Sequence, residues 1–325
     1  DTIEPTMVHQ LVRLLWNPLS LDRLGLVYSL AAYVWWGLVT GAYFKSVDFA
    51  EPLELLALRV LTGLPLLIAF LSFRAGGIGD LFRLIRKQAM SVLVAGALIG
   101  LNWGTFIYSV VSSRLTEASL GYYINPLVSV LLGVFILGES MSTRRWFALA
   151  IAFVGALVFA SDFEVSGLLQ AGRLMDLPWI VVVLPLSFGL YGLAKKKAQA
   201  DPFTSLAGEM LMLLPILGLL EWWLFRQGRS VWFSVDAFQM GALWAGGIVT
   251  IVPLLFFSAS ANRLPLSVVG LMQYIAPTLQ FTLAVAFFGE ELSARRVVAF
   301  AMVWMSVLIF ISSVEKRKDI RTNEG

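Results

Sequence analysis

Apolar stretches of about 20 residues recur ten times along this chain, and no other feature narrows its fold so far. A helix needs about 20 apolar residues to cross the ~30 Å hydrocarbon core of a bilayer, and backbone inside lipid must satisfy its own hydrogen bonds. The candidate spans are 24–44, 53–73, 90–111, 120–137, 146–161, 177–193, 203–225, 240–260, 266–288 and 297–313, joined by short linkers. Only 14% of the 325 residues are charged, against about 25% in a soluble globule, and the mean hydropathy is +0.81. The expectation is an all-α polytopic membrane protein with ten transmembrane helices. The first apolar run is too long for a signal peptide and lacks a small-residue cleavage site. The chain opens on Asp1, and Met7 is a candidate natural initiator.

Cysteine is absent and the single histidine is His9, in the N-terminal tail. Disulfides, thiolate chemistry and His/Cys metal sites are therefore excluded. The pI near 9.2 does not point to nucleic acid, because the positive charge sits in membrane loops, where it reads as a topology signal. With the N-terminus placed inside, sixteen Lys and Arg fall in inside segments, seven in outside loops, and Arg59 alone lies within a span. The positive-inside rule then predicts a plasma-membrane protein with both termini cytoplasmic.

The chain also repeats itself. "GYYINP" (121–126) returns as "MQYIAP" (272–277), so Pro126 and Pro277 are 151 positions apart. The same offset carries "GESMSTRRW" (138–146) onto "GEELSARRV" (289–297), while Pro52 matches Pro202 at offset 150. The repeating unit contains five spans, and an odd number inverts the second copy. Two halves related by a pseudo-two-fold axis in the membrane plane are the pattern of an inverted-repeat transporter. The units expected are a tail over 1–23, repeats over 24–161 and 177–313, an external linker over 162–176 and a cytoplasmic tail over 314–325.

"EASLGYYINPLVSVLLGVFILGE" (117–139), "WWG" (35–37), "ELLALR" (54–59) and "GLNWGTFIYSV" (100–110) resemble RarD-type permeases. Those form part of the EamA branch of the drug/metabolite transporter superfamily. The resemblance spans about 24–313 and implies two five-helix EamA units around a central cavity. It further implies a cavity lined by helices 1–4 and 6–9, and export of small organic molecules.

Enzyme signatures are missing: there is no nucleophile elbow, no Walker A loop and no carboxylate cluster at metal-ligand spacing. Without an ATP site, active transport must run on a gradient or on exchange. No cofactor is expected, and the partners are a small organic solute, the bilayer and a coupling proton. A channel, a receptor and a membrane-embedded enzyme are the alternatives.

Polar residues inside the spans are the site candidates. Asn102, Thr105, Ser109 and Ser113 follow helical spacing on one face of span 3, with Gly96, Gly100 and Gly104 as a packing seam opposite. Trp36, Thr40 and Tyr43 share a face of span 1, Tyr122, Asn125 and Ser129 align in span 4, and Gln273 and Gln280 do so in span 9. Trp36, Phe106, Tyr122 and other aromatics near the presumed cavity suit an aromatic or amphipathic solute. Asn102 and Asn125 read either as cavity lining or as helix–helix ties.

Pro126 and Pro277 each remove a backbone donor, and matched helix interruptions in two repeats point to the binding site. They read as paired flex points, with inert packing kinks as the alternative. Arg59 and Glu209 each lie seven residues after their repeat's proline, Pro52 or Pro202. Each charge costs about 2.5–3.5 kcal/mol at the centre of a lone inserted helix. Both lie roughly 10 Å deep but from opposite faces. Three readings stay open: a direct ion pair; separate cavity roles, with Arg59 for an anionic group and Glu209 for a cation or proton; or structural burial. Glu209 is the best proton-coupling candidate.

Overall fold

The computed structural model describes residues 22–112, 114–161, 179–232, 234–288 and 293–322. All regular structure among them is helical. The expected external linker, most of the expected N-terminal tail and Ser113 lie outside these residues.

Local chemistry sets the helix ends. α1 (Arg23–Ser46) starts at Asp22, whose carboxylate accepts from the backbone N–H of Leu24 and Gly25. α2 (Pro52–Ser72) and α7 (Pro202–Arg226) both begin on proline, which has no N–H to leave unpaired in a first turn. Ser142 caps α5 (Thr143–Ala160), and Asp236 opens α8 (Ala237–Arg263) in a reciprocal capping box with Gln239. α4 (Leu115–Leu137) stops at Gly138, which takes the left-handed conformation (φ 68°). α3 (Gly77–Val111) has 35 residues, roughly 50 Å of helix, which is too long for one crossing. It breaks at Gln88 (φ −133°, ψ 34°), separating the basic stretch with Arg83, Arg86 and Lys87 from the expected span.

The remaining elements are α6 (Trp179–Ala198), α9 (Leu266–Met272), α10 (Ile275–Phe288) and α11 (Ala294–Thr322). Among the described residues nine helical stretches are long and apolar enough to cross a membrane. α9 and α10 together supply one of them, while α11, where the tenth span is expected, is not among the nine.

Four boundaries differ from expectation by more than a helical turn: α3 begins at Gly77 and α4 at Leu115, ahead of 90 and 120. α6 continues past 193 to Ala198, and α11 runs past 313. The ninth span is not one continuous helix: it breaks at Gln273 and Tyr274. Pro277 cannot donate to the Gln273 carbonyl four residues back, and that carbonyl takes the N–H of Ala276 instead, at 3.2 Å. The chain tightens there into three-residue bonds and α10 restarts with proline in its first turn. Pro126, its repeat partner, stays inside the continuous α4.

Contacts between helix ends show the alternation. At the end holding the α1 N-terminus, here the basal end, Arg74 pairs with Asp201 (3.0 Å) and Arg263 with Asp22 (2.7 Å). Asn262 donates to the Ala200 carbonyl at 2.9 Å in the same region. At the opposite, distal end Arg229 pairs with Glu51, and Glu54 accepts from Ser230, Val231 N and Trp232 N.

The principal packings exchange when the first repeat is replaced by the second. α1·α8 becomes α6·α3, α4·α6 becomes α10·α1, and α2·α8 becomes α7·α3, while α2·α7, α4·α9 and α5·α11 map onto themselves. The duplication read from the sequence is therefore a structural inverted repeat. α5 and α11 pack against each other around Ala152, Ala156 and Val303, in a core shared with Tyr123, Leu127 and Val130 of α4 and Leu271 of α9. The seam glycines divide. A Cβ on Gly96 or Gly100 would meet the Glu209 carbonyl at 3.3 Å or Leu213 at 2.7 Å, both on α7, whereas Gly104 faces open space.

Candidate functional site

The helices enclose a cavity of about 650 Å³, within the roughly 300–1,000 Å³ of drug-sized ligand sites. Both repeats line it. Its side chains come from every span except α7, most of them from the C-terminal halves of α1 and α3, the N-terminal part of α4, the middle of α8, and α10, and the segments at its rim cluster at the distal end. Rim residues Gly41, Ser119 and Gln280 are exposed, whereas Tyr33, Asn102 and Gln273 deep within are buried.

Seven of the eight proposed binding residues meet here: Trp36, Arg59, Asn102, Phe106, Tyr122, Asn125 and Gln273. Asn102 combines both roles considered for it. It lines the cavity and donates through Nδ2 to the Leu184 carbonyl and the Ser187 hydroxyl, each at 3.0 Å, tying α3 to α6. Gln273 likewise lines the break between α9 and α10 while donating to Ser129 at 3.0 Å. Ser109 turns back to its own helix, donating to the Phe106 carbonyl at 2.6 Å. Pro277 lines the cavity, whereas Pro126 does not. The two prolines are thus not placed alike.

Arg59 is the cation of the cavity wall that most needs explaining. Its guanidinium lies 5.0 Å from the Phe44 ring and 5.6 Å from the Trp103 ring. Such contacts return about 0.5–2 kcal/mol, less than the cost of placing arginine at mid-membrane. Its Nη2 is shut from solvent with no hydrogen-bond partner, as are Thr40 Oγ1, Tyr123 Oη and Asn125 Oδ1 on the same wall. Trp36 packs among Tyr33, Phe188 and Phe257 at ring-centre distances of 5.5–6.1 Å. The site is an aromatic chamber with two arginines in its wall, Arg59 and Arg296, and several unused polar atoms around Arg59. Among the described residues no group of three His, Cys, Asp or Glu gathers to hold a metal.

The expectation that Glu209 lines this cavity is corrected. Glu209 is absent from the wall and does not pair with Arg59. It is 0% exposed and forms a buried ion pair with Lys195, reinforced by the hydroxyls of Tyr191 (3.0 Å) and Ser205 (2.8 Å). Arg59 descends from the distal end and Glu209 from the basal end, so the repeat symmetry that matches them also separates them.

Lys195 escapes sequence reasoning, because "KKK" at 195–197 reads as a loop topology signal. Its one available cue is helical spacing: Tyr191 and Lys195 are four apart, as are Ser205 and Glu209. Further contacts seal the same end. Lys196 donates to the Leu264 carbonyl at 2.6 Å. The Glu139 carboxylate accepts the N–H of Leu266 and Ser267 at 2.6 and 3.0 Å, capping α9. That bond gives the glutamate of "GESMSTRRW" a role joining the two repeats.

Known proteins match this architecture. The EamA-like transporter family matches residues 23–161 and 178–312. Protein RarD of Streptomyces exfoliatus is 40% identical over 291 residues, covering 89% of this chain and 88% of that protein. Protein RarD of Escherichia coli K12 is 37% identical over 294 residues, covering 89% and 94%. A solved crystal structure superposes with a TM-score of 0.70 at 19% identity, covering 90% of this chain and 98% of its own; it supports the fold alone. The chain belongs to the EamA-like transporter family and is a RarD-type, multi-pass membrane transporter protein.

Proposed function

We propose that this EamA-family transporter carries a small organic solute by alternating access, as a secondary transporter driven by a gradient or by exchange. One observation carries the reading: a single chamber drawn from both repeats opens toward the distal end, while ionic and hydrogen-bonded contacts close the basal end. Two inverted, near-equivalent halves make the reverse arrangement comparable in energy, and alternating access needs two such states.

The Lys and Arg distribution assigns the basal end and both termini to the cytoplasm, so this conformer faces outward across the plasma membrane. Glu209 enters the proposal as part of the basal closure. A proton on its carboxylate removes the attraction to Lys195 and favours opening at that end. A channel lacks support here, since the polar lining stops at the closed layer.

Proteoliposomes test the reading. Unlabelled solute trapped inside should drive saturable counterflow of labelled solute. Flux that never saturates favours a channel, and saturable binding without flux favours a receptor. Glu209→Gln should abolish pH-driven flux while sparing exchange, and unchanged pH dependence removes Glu209 from the coupling.

A further inference from the structure

We infer that the solute of this cavity is a small organic anion, a monocarboxylate with an aromatic or otherwise apolar body, whose carboxylate docks on Arg59. The inference rests on the transporter reading and names its substrate class.

The central observation is a guanidinium without a counter-ion. Six ion pairs join described residues, and none includes Arg59. The distal carboxylates buried nearest in the chain have donors of their own. Glu54 accepts through Oε1 from Ser230 and two backbone N–H groups, its Oε2 being buried without a partner, and Glu117 is held by Arg114 through both oxygens. Arg59 instead touches ring faces, and its Nη2 reaches no protein acceptor.

Arginine keeps its charge when buried and presents a planar fork that matches a carboxylate through two parallel hydrogen bonds. An acceptor arriving from the cavity supplies the missing counter-charge, and a turn of the Arg59 side chain toward the cavity brings the covered Nη2 to it. Around the fork, Phe44, Trp103 and Tyr122 with Phe106 form an apolar surface. Asn125 Oδ1 and Thr40 Oγ1 remain to accept or donate to a polar substituent. An inorganic anion satisfies the charge but leaves the aromatic surface unused. A neutral solute leaves the guanidinium unpaired. The organic acid uses both.

The test is binding to the purified full-length chain in detergent, read by tryptophan fluorescence and thermal shift. The probes are a panel of aromatic and aliphatic monocarboxylates, each paired with its neutral amide, such as phenylacetate and phenylacetamide. At least one acid should bind tenfold or more tightly than its amide. Arg59→Gln should erase that difference while leaving amide binding in place, and Arg59→Lys should keep part of it. The acid–amide comparison uses the unmodified protein, so it stands even if Arg59→Gln does not fold. Amides that bind as well as acids, or a panel in which no acid binds, overturn the inference. Neutral solutes that show counterflow at the same time leave the transporter reading intact. Chloride that displaces every acid at equal concentration identifies an inorganic-anion site and likewise overturns it.

Discussion

Replacing Lys195 with methionine keeps much of the stem volume but removes the ammonium. Glu209 is then a carboxylate with 0% exposure, facing only the Tyr191 and Ser205 hydroxyls. Removing one member of a buried ion pair costs about 3–5 kcal/mol, because the partner charge is left uncompensated. Glu209→Leu alone should cost a similar amount, since Lys195 is only 3% exposed and keeps Ser205 as its hydrogen-bond partner. The double change Lys195→Met/Glu209→Leu removes both charges and fills the space with apolar atoms. Such replacements are often neutral or stabilising by about 1–4 kcal/mol, so the double variant should lie within about 1 kcal/mol of the parent or above it. The four proteins form a thermodynamic cycle, measured by reversible unfolding in mixed SDS and maltoside micelles with tryptophan fluorescence. The expected coupling is at least about 3 kcal/mol, well outside the ~0.5 kcal/mol within which independent sites add. Additive losses, or a single Lys195→Met cost below about 1 kcal/mol as for a surface charge, would refute the closed pair.

Asp201→Ala should cost about 1 kcal/mol through loss of the α7 cap, measured in the same unfolding assay. Although desolvation pushes the Asp201 carboxyl up, hydrogen bonds from Thr204 and Arg74 outweigh it and hold the group below its ordinary range. Its stabilisation is therefore present above the unfolded value near 3.8 and is lost as pH falls through the depressed folded value. The difference in melting temperature between parent and Asp201→Asn should stay constant from neutral pH to about pH 5 and shrink only in stronger acid. Pro277→Ala restores a donor for the Gln273 carbonyl, so the break should tighten toward α-helix and counterflow should slow in a protein that still folds; unchanged turnover assigns Pro277 to packing. At the α2–α8 crossing, a Cβ on Gly247 would fall 2.7 Å from the Gly63 backbone nitrogen. Gly247→Ala should destabilise by about 1–3 kcal/mol, whereas Gly104→Ala, which faces open space, should not.

The ten spans and their inverted duplication were legible in the residues themselves. Lipid offers the backbone no partners, so each crossing must be a self-satisfied apolar helix of fixed minimum length. The "YINP" and "GE" phrases then reveal the two copies directly. Most of the chamber was legible for the same reason. A polar group such as Arg59 or Asn125 inside a span has to face something other than lipid.

Tertiary structure alone decided the partner of Glu209. Lys195, Lys196 and Lys197 look alike in sequence, but successive helical residues turn by about 100°. Only the first of the three faces the α7 carboxylate, and that depends on the depth and rotation of two helices. The break at Gln273 rather than at Pro277 follows from which carbonyl the missing N–H leaves free, and from the three-residue bonds available there. Which end is open is likewise outside the reach of sequence, because the two inverted halves carry such similar patterns. In the structure long-range contacts close one end: Glu139 on the α9 N-terminus, which exists only once the two repeats have packed, and Lys196 on the Leu264 carbonyl, which joins α6 to the end of α8 within the second repeat.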